Sequence, residues 1–209
     1  MLASLPKVGY NFVMTIKDYQ DHALSWLRVP ERHELPEEVQ QFFAKAEEKL
    51  GLIPNVFHVF SLTPEHFMRW FRYYDYLMRN EDSALSRAER EMVALVVSTE
   101  NHCEYCLGSH SAYLRELIDD HIKADVLTHN YRRAALSDRE RAILDFAQRM
   151  TTSSFSMTPE DIEPLRAVNL SDEAIFELAQ VAAMFNFTNR LANALGWRPN
   201  SEYYSQHRS

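Results

Sequence analysis

Glycine is scarce: the 209 residues hold only four. That is too few for a P-loop, a dinucleotide-binding fingerprint or a turn-rich β-sandwich, which need backbone at positive φ or in close approach to a ligand. Helices are the remaining default. Cysteine is scarcer still, with two residues, which excludes a secreted disulfide scaffold. Nowhere do about 18 apolar residues run together, as a membrane-spanning helix requires. Met1 to Ile16 mixes one lysine and several polar residues into its apolar ones, unlike a secretory leader, so a cytoplasmic location is expected. The net charge of -8 is spread along the chain and disfavours nucleic acid or an anionic membrane as partner. A chain of this length buries a sizeable core without a metal or disulfide staple, and no cofactor or metal is expected.

What is present reads as helix. From Val39 the positions Phe42, Phe43, Ala46 and Leu50 keep the spacing of one buried face, with Gly51 placed to end it. Pro54 and Pro64 each suit a first helical turn. With Thr63 as N-cap, the run Phe67, Trp70, Phe71, Tyr74, Leu77, Met78 again keeps helical spacing, and Tyr73, Tyr74 and Tyr76 are expected to pack rather than to line a pocket. Ser86 with Glu89 and Ser137 with Glu140 have capping-box spacing. The first pair leads into Met92 to Val97, apolar on nearly every side, which implies a helix enclosed by others and favours association. The second precedes a face of Ile143, Phe146, Ala147 and Met150. Thr158 and Pro159 open a short helix, and Ser171 opens a long one that Gly196 and Pro199 stop. About seven to nine helices result. In the long one, Asn186, Asn189 and Arg190 interrupt apolar residues and are expected to satisfy buried backbone or subunit contacts. A faint internal echo lays Leu85 to Cys103 over Leu170 to Asn189. Tyr10 to Ile16 suits a short strand or an arm.

Both cysteines fall in one tetrapeptide, Cys103-Glu104-Tyr105-Cys106, with His110 four residues on. If a helix starts near Cys103, all three share one face. A thiolate is the nucleophile, yet a free thiol is mostly protonated at neutral pH, so something must favour the anion. The helix start offers unpaired N–H groups and a positive dipole end, His110 offers a base, and a carboxylate could orient that ring. Asn101-His102 is the expected break before this helix, with Asn101 as its N-cap. Glu91 lies twelve residues before Cys103, about 18 Å along a straight helix, so the chain must bend for the two to meet.

Glu91, Cys103-x-x-Cys106 and His110 reproduce the spacing Glu-x11-Cys-x-x-Cys-x3-His, and here the chain resembles the alkylhydroperoxidase D (AhpD-like) proteins of the carboxymuconolactone decarboxylase-like superfamily. The stretch from Gly51 to Phe57, followed by the helix opened by Pro64, looks like the lead-in of their peroxidase-related branch. The resemblance implies an all-α, AhpD-like fold of orthogonally packed helices over residues 36–209, with its core motif at 85–121, behind an N-terminal arm at 1–35. It also implies that Cys106 is the peroxidatic cysteine, Cys103 the resolving one, and His110 and Glu91 the proton relay. The substrate is then an organic hydroperoxide or hydrogen peroxide, and the recycling reductant an external dithiol such as a lipoylated protein. A homo-oligomer is expected: dimer, trimer or hexamer. Tyr105 stands where alkylhydroperoxidase D proper has a relay histidine, which puts the hydroperoxide rate in question.

Other readings stay open at this level. Two thiolates and an imidazole, with His102 or Glu91 as a fourth ligand, also suit zinc. Paired cysteines also serve as buried apolar residues, or as a redox sensor or disulfide reductase. A non-redox decarboxylase-like enzyme shares the superfamily but lacks the cysteine pair. Glu91, in the first turn of a capped helix, is also where any acid is favoured by the dipole. His58, His66, His121 and His129 have no readable partners.

Overall fold

The computed structural model describes residues 23–208, and within them every regular element is helical. Nine α-helices follow in order among the described residues: α1 Glu37–Leu50, α2 Asn55–Phe60, α3 Pro64–Arg79, α4 Arg87–Glu100, α5 Glu104–Ile118, α6 His121–Asn130, α7 Asp138–Ser153, α8 Glu163–Ala167 and α9 Asp172–Leu195. Short 3-10 turns lie between some of them, and one, Ser201–Tyr204, follows α9. The suggested strand at Tyr10 to Ile16 lies outside the described residues. No described helix is long and apolar enough to cross a membrane.

The ends of the helices follow local chemistry. Ser86 and Ser137 both form the expected capping boxes with Glu89 and Glu140, each giving two free N–H groups a partner. Gly51 and Gly196 terminate α1 and α9 in the left-handed conformation that costs glycine least. Pro64 occupies the first turn of α3, whereas Pro54 precedes α2 as its N-cap.

α4 is the axis of the molecule. Met92 to Val97 are all buried, because α3, α5, α6, α7 and α9 pack around them. The all-round apolar stretch is therefore consumed within the chain and is no argument for a subunit contact. Leu50, expected on a buried face, is 41% exposed, because it lies in the last turn of α1 after the packed residues Phe43 and Ala46. Tyr73 and Tyr76 also fail to pack and are largely exposed. Only Tyr74 of that trio turns inward, stacking on Trp70 at 5.3 Å.

Two segments outside the α-helices close over this bundle. Trp26 N–H and the Ser25 hydroxyl both donate to Leu195 O, at 2.9 and 3.0 Å. Beyond α9 the chain crosses α5 where Gly108 lets Pro199 approach; a Cβ there would sit 3.2 Å from the proline ring. Arg115, buried in α5, then anchors the final turn by donating to the carbonyls of Tyr203 and Gln206.

Candidate active site

The bend demanded between Glu91 and the cysteines is a tight turn. Asn101 caps the C-terminus of α4, and His102 adopts φ 52°. Cys103 is then the N-cap of α5. The break is where the sequence placed it, but Asn101 ends one helix and does not begin the next. Its side chain turns instead to α9, donating to Asn186 Oδ1 and Asn189 Oδ1, both at 3.0 Å.

The turn makes α5 run back along α4. His110 Nδ1 thereby meets Glu91 Oε2 at 2.6 Å, with both side chains buried. The carboxylate fixes the ring, so Nδ1 carries the hydrogen that Glu91 accepts and Nε2 remains for proton exchange. Around the ring stand Phe185, edge-on at 4.7 Å, Tyr113 at 5.7 Å and Tyr74 at 6.4 Å.

A cavity of about 40 Å³ opens beside this pair, walled by Phe57, Trp70, Phe185 and Trp197 and lined by both Cys106 and His110. On the same measure a single water needs about 10–15 Å³, so the space suits a few small groups. Tyr105 closes one side, and its hydroxyl accepts from Val56 N–H at 2.8 Å. Tyr203 closes another, its hydroxyl 3.2 Å from that of Tyr113. Burial holds Tyr74, Tyr105, Tyr113 and Tyr203 neutral, each pushed above the ordinary phenol range.

The two thiols are free and both buried. Cys106 faces the cavity; Cys103, fully enclosed, is not part of its lining. They titrate as a pair. Cys103 is held below the ordinary thiol value, first by its hydrogen bond with the Cys106 thiol, then by the backbone of Cys106, the Asn189 amide and the backbone of Tyr105. Cys106 is pushed up by that same hydrogen bond, by burial and by the charge on Cys103. The free N–H groups of the helix start thus act on Cys103, not on Cys106 as the motif alone suggested.

The structure sets Cys103 next to Cys106 and His110 against Glu91, and puts Cys106 and His110 on the wall of one cavity. Among the described residues no three Cys, His, Asp or Glu side chains converge as a metal-holding group, which leaves the zinc alternative without a ligand set. Asn189 and Ser98 are the site residues the sequence hid. Both are fully buried; Asn189 Nδ2 donates to Ser98 Oγ at 3.1 Å, and Ser98 O accepts from Cys103 N–H at 2.9 Å, which sets the two beside the thiols. The one signal for Asn189 was an amide inside an apolar helix. The faint echo aligned it with Cys103, and α4 and α9 are neighbours in the bundle.

Comparisons with known proteins agree with this geometry. Residues 64–149 match the model of the carboxymuconolactone decarboxylase family. A peroxidase-related protein from Ralstonia eutropha JMP134, described as an alkylhydroperoxidase AhpD core, is 36% identical with a TM-score of 0.86, over 90% of this chain and 98% of its own. A peroxidase-related protein from Silicibacter sp. TM1040 is 41% identical with a TM-score of 0.86, over 90% of this chain and 97% of its own. The debrominase Bmp8 shares the fold at 20% identity, with a TM-score of 0.71 over 89% of this chain and 96% of its own. With an all-helical architecture, the thiol pair at its centre and these relatives spanning nearly its whole length, the chain belongs to the AhpD-like, peroxidase-related members of the carboxymuconolactone decarboxylase-like superfamily.

Proposed function

We propose that the protein is a thiol-dependent peroxidase that reduces small hydroperoxides through Cys106, with Cys103 as resolving thiol and His110 and Glu91 as proton relay. The observation that carries this reading is the meeting of Cys106 and His110 on the wall of one buried cavity, with Glu91 on the far nitrogen of the ring. Kinship with peroxidase-related proteins supplies the general class: a peroxide substrate and a reductant.

The chemistry runs in two steps. Charge passes to Cys106 as the shared proton moves to Cys103. The Cys106 thiolate attacks the terminal oxygen of R–O–O–H, the O–O bond breaks, and Cys106 becomes a sulfenic acid. The proton the thiol pair gave up rests on His110 Nε2, in the positive form that Glu91 stabilises; the leaving alkoxide takes it and departs as an alcohol or as water. Cys103 then attacks the sulfenic sulfur, water leaves and an internal disulfide forms. An external dithiol, such as a lipoylated protein, reduces it. The apolar walls suit uncharged peroxides, and the small volume favours compact ones.

The test is to count free thiols before and after one equivalent of an organic hydroperoxide. Wild type is expected to lose both thiols to an internal disulfide, Cys103→Ser to stop at a sulfenic acid on Cys106, and Cys106→Ser to consume no peroxide. Thiols that stay intact with peroxide present overturn the proposal. Sustained turnover with added dithiol separates a peroxidase from a sensor that reacts once.

A further inference from the structure

Behind the two sulfurs, on the side away from the cavity, a chain of amides runs inward from the surface, and each member fixes the direction of the next. Arg190 donates to Asn186 Oδ1 at 2.8 Å. With that oxygen committed as acceptor, Asn186 Nδ2 points the other way, to Thr151 Oγ1 and Ala182 O, both at 3.0 Å. Asn101 Nδ2 donates to Asn186 Oδ1 and to Asn189 Oδ1. Asn189 therefore has its oxygen taken, and its Nδ2 faces the cysteines, donating to Ser98 Oγ at 3.1 Å. Ser98, having accepted there, has its own hydrogen free, and its carbonyl accepts from Cys103 N–H at 2.9 Å, which sets the Asn189–Ser98 pair beside the thiols. The second hydrogen of Asn189 Nδ2 is left for the sulfurs, and both groups favour the charged form of Cys106. An Asn amide turned over would present an acceptor to a thiolate; this chain of donors excludes that orientation.

We propose that Asn189, together with Ser98, is the donor set that holds negative charge on the Cys103–Cys106 pair, and that Asn101 and Asn186 are positioning residues that keep its amide turned that way. The inference deepens the peroxidase reading by adding a group that touches the reacting sulfurs, and it rests on that reading only for its catalytic consequence. A buried anion needs such donors, because charge without hydrogen bonds is not stable out of water. The titratable groups facing the pair do not supply them. Tyr74 from α3, Tyr105 and Tyr113 from α5, and Tyr203 beyond α9 are neutral and line the opposite, cavity side. His110 is tied to Glu91 of α4, and α9 contributes the Asn189 amide.

The experiment follows the pH dependence of iodoacetamide alkylation and of thiolate absorbance in the reduced protein, with no peroxide present. Asn189→Leu keeps about the size and loses the donor without adding a charge, so its lower thiol midpoint is expected to rise by about one pH unit or more, the scale of one charge-assisted hydrogen bond. Asn189→Ser restores a hydroxyl donor and is expected to recover part of that rise. Ser98→Ala is expected to raise the midpoint by less. A folded Asn189→Leu with the wild-type midpoint overturns the inference. If the Asn189 variants do not fold, Ser98→Ala decides, and an unchanged midpoint there overturns it as well. Because no peroxide is used, a shifted midpoint in a protein that fails to turn over peroxide upholds the amide chain and rejects the peroxidase, and the reverse result does the opposite.

Discussion

Glu91→Gln isolates the carboxylate charge from the shape of the site. Glu91 Oε2 lies 2.6 Å from His110 Nδ1, and both groups are buried. In the proposed relay His110 exchanges a proton with the reacting oxygen, and its positive form would face the Glu91 carboxylate. Opposite unit charges with centres about 4 Å apart interact by about 4 kcal/mol at an effective dielectric of about 20. Glutamine still accepts a neutral hydrogen bond worth about 1 kcal/mol. The difference, reduced by adjustment around the site, is about 2–3 kcal/mol, or roughly a 30- to 150-fold loss in the rate of sulfenic acid formation. Stopped-flow peroxide consumption on the reduced protein reads this directly, with circular dichroism as the check on folding. The buried pair predicts a fall in that first step and little change in the thiol count. A folded Glu91→Gln protein that consumes peroxide within about threefold of wild type would refute the relay and return Glu91 to the role of a dipole-favoured acid in a first turn.

Two further outcomes follow from contacts around the site. Tyr105→Phe leaves the half-buried Val56 N–H without the acceptor it has at 2.8 Å, at a cost of about 1 kcal/mol; Tm is expected to fall by a few degrees, and an unchanged Tm removes Tyr105 as an anchor of α2. Asp125 is held below the ordinary carboxylate value, chiefly by its hydrogen bonds from Arg208 at 2.7 and 3.0 Å. A depressed folded-state value stabilises the fold fully above the ordinary one, about pH 4, and that contribution is lost as pH falls further. The difference in Tm between wild type and Asp125→Asn should therefore be flat from pH 7 to about 4 and shrink below it; a difference that grows on acidification contradicts the assignment.

Much of the scaffold was legible because it depends on neighbours in sequence. The boxes at Ser86 and Ser137, the glycine stops at Gly51 and Gly196, and the apolar spacing of α3 and α9 are local effects of backbone hydrogen bonding and helical period. Leu50 and Tyr76 were misjudged because spacing marks a face but not how far along it a neighbour extends. Asn101 was misjudged because an asparagine suits either side of a helix break, and only packing chose the C-terminal side of α4.

The site divides along the same line. Cys103, Cys106 and His110 sit within eight residues of one another, and the helical spacing of Cys106 and His110 is enough to put those two on the same cavity wall. Glu91 was placed by motif, while its contact with His110 required the turn at His102 that folds α5 back on α4. Which sulfur meets the cavity, which one the helix start favours, and the amide of Asn189 behind them were decided only by tertiary structure. Those properties depend on what α3, α9 and the chain end at Tyr203 bring within a few ångströms, and such distances between remote segments are set by packing of the whole bundle, which no local period encodes.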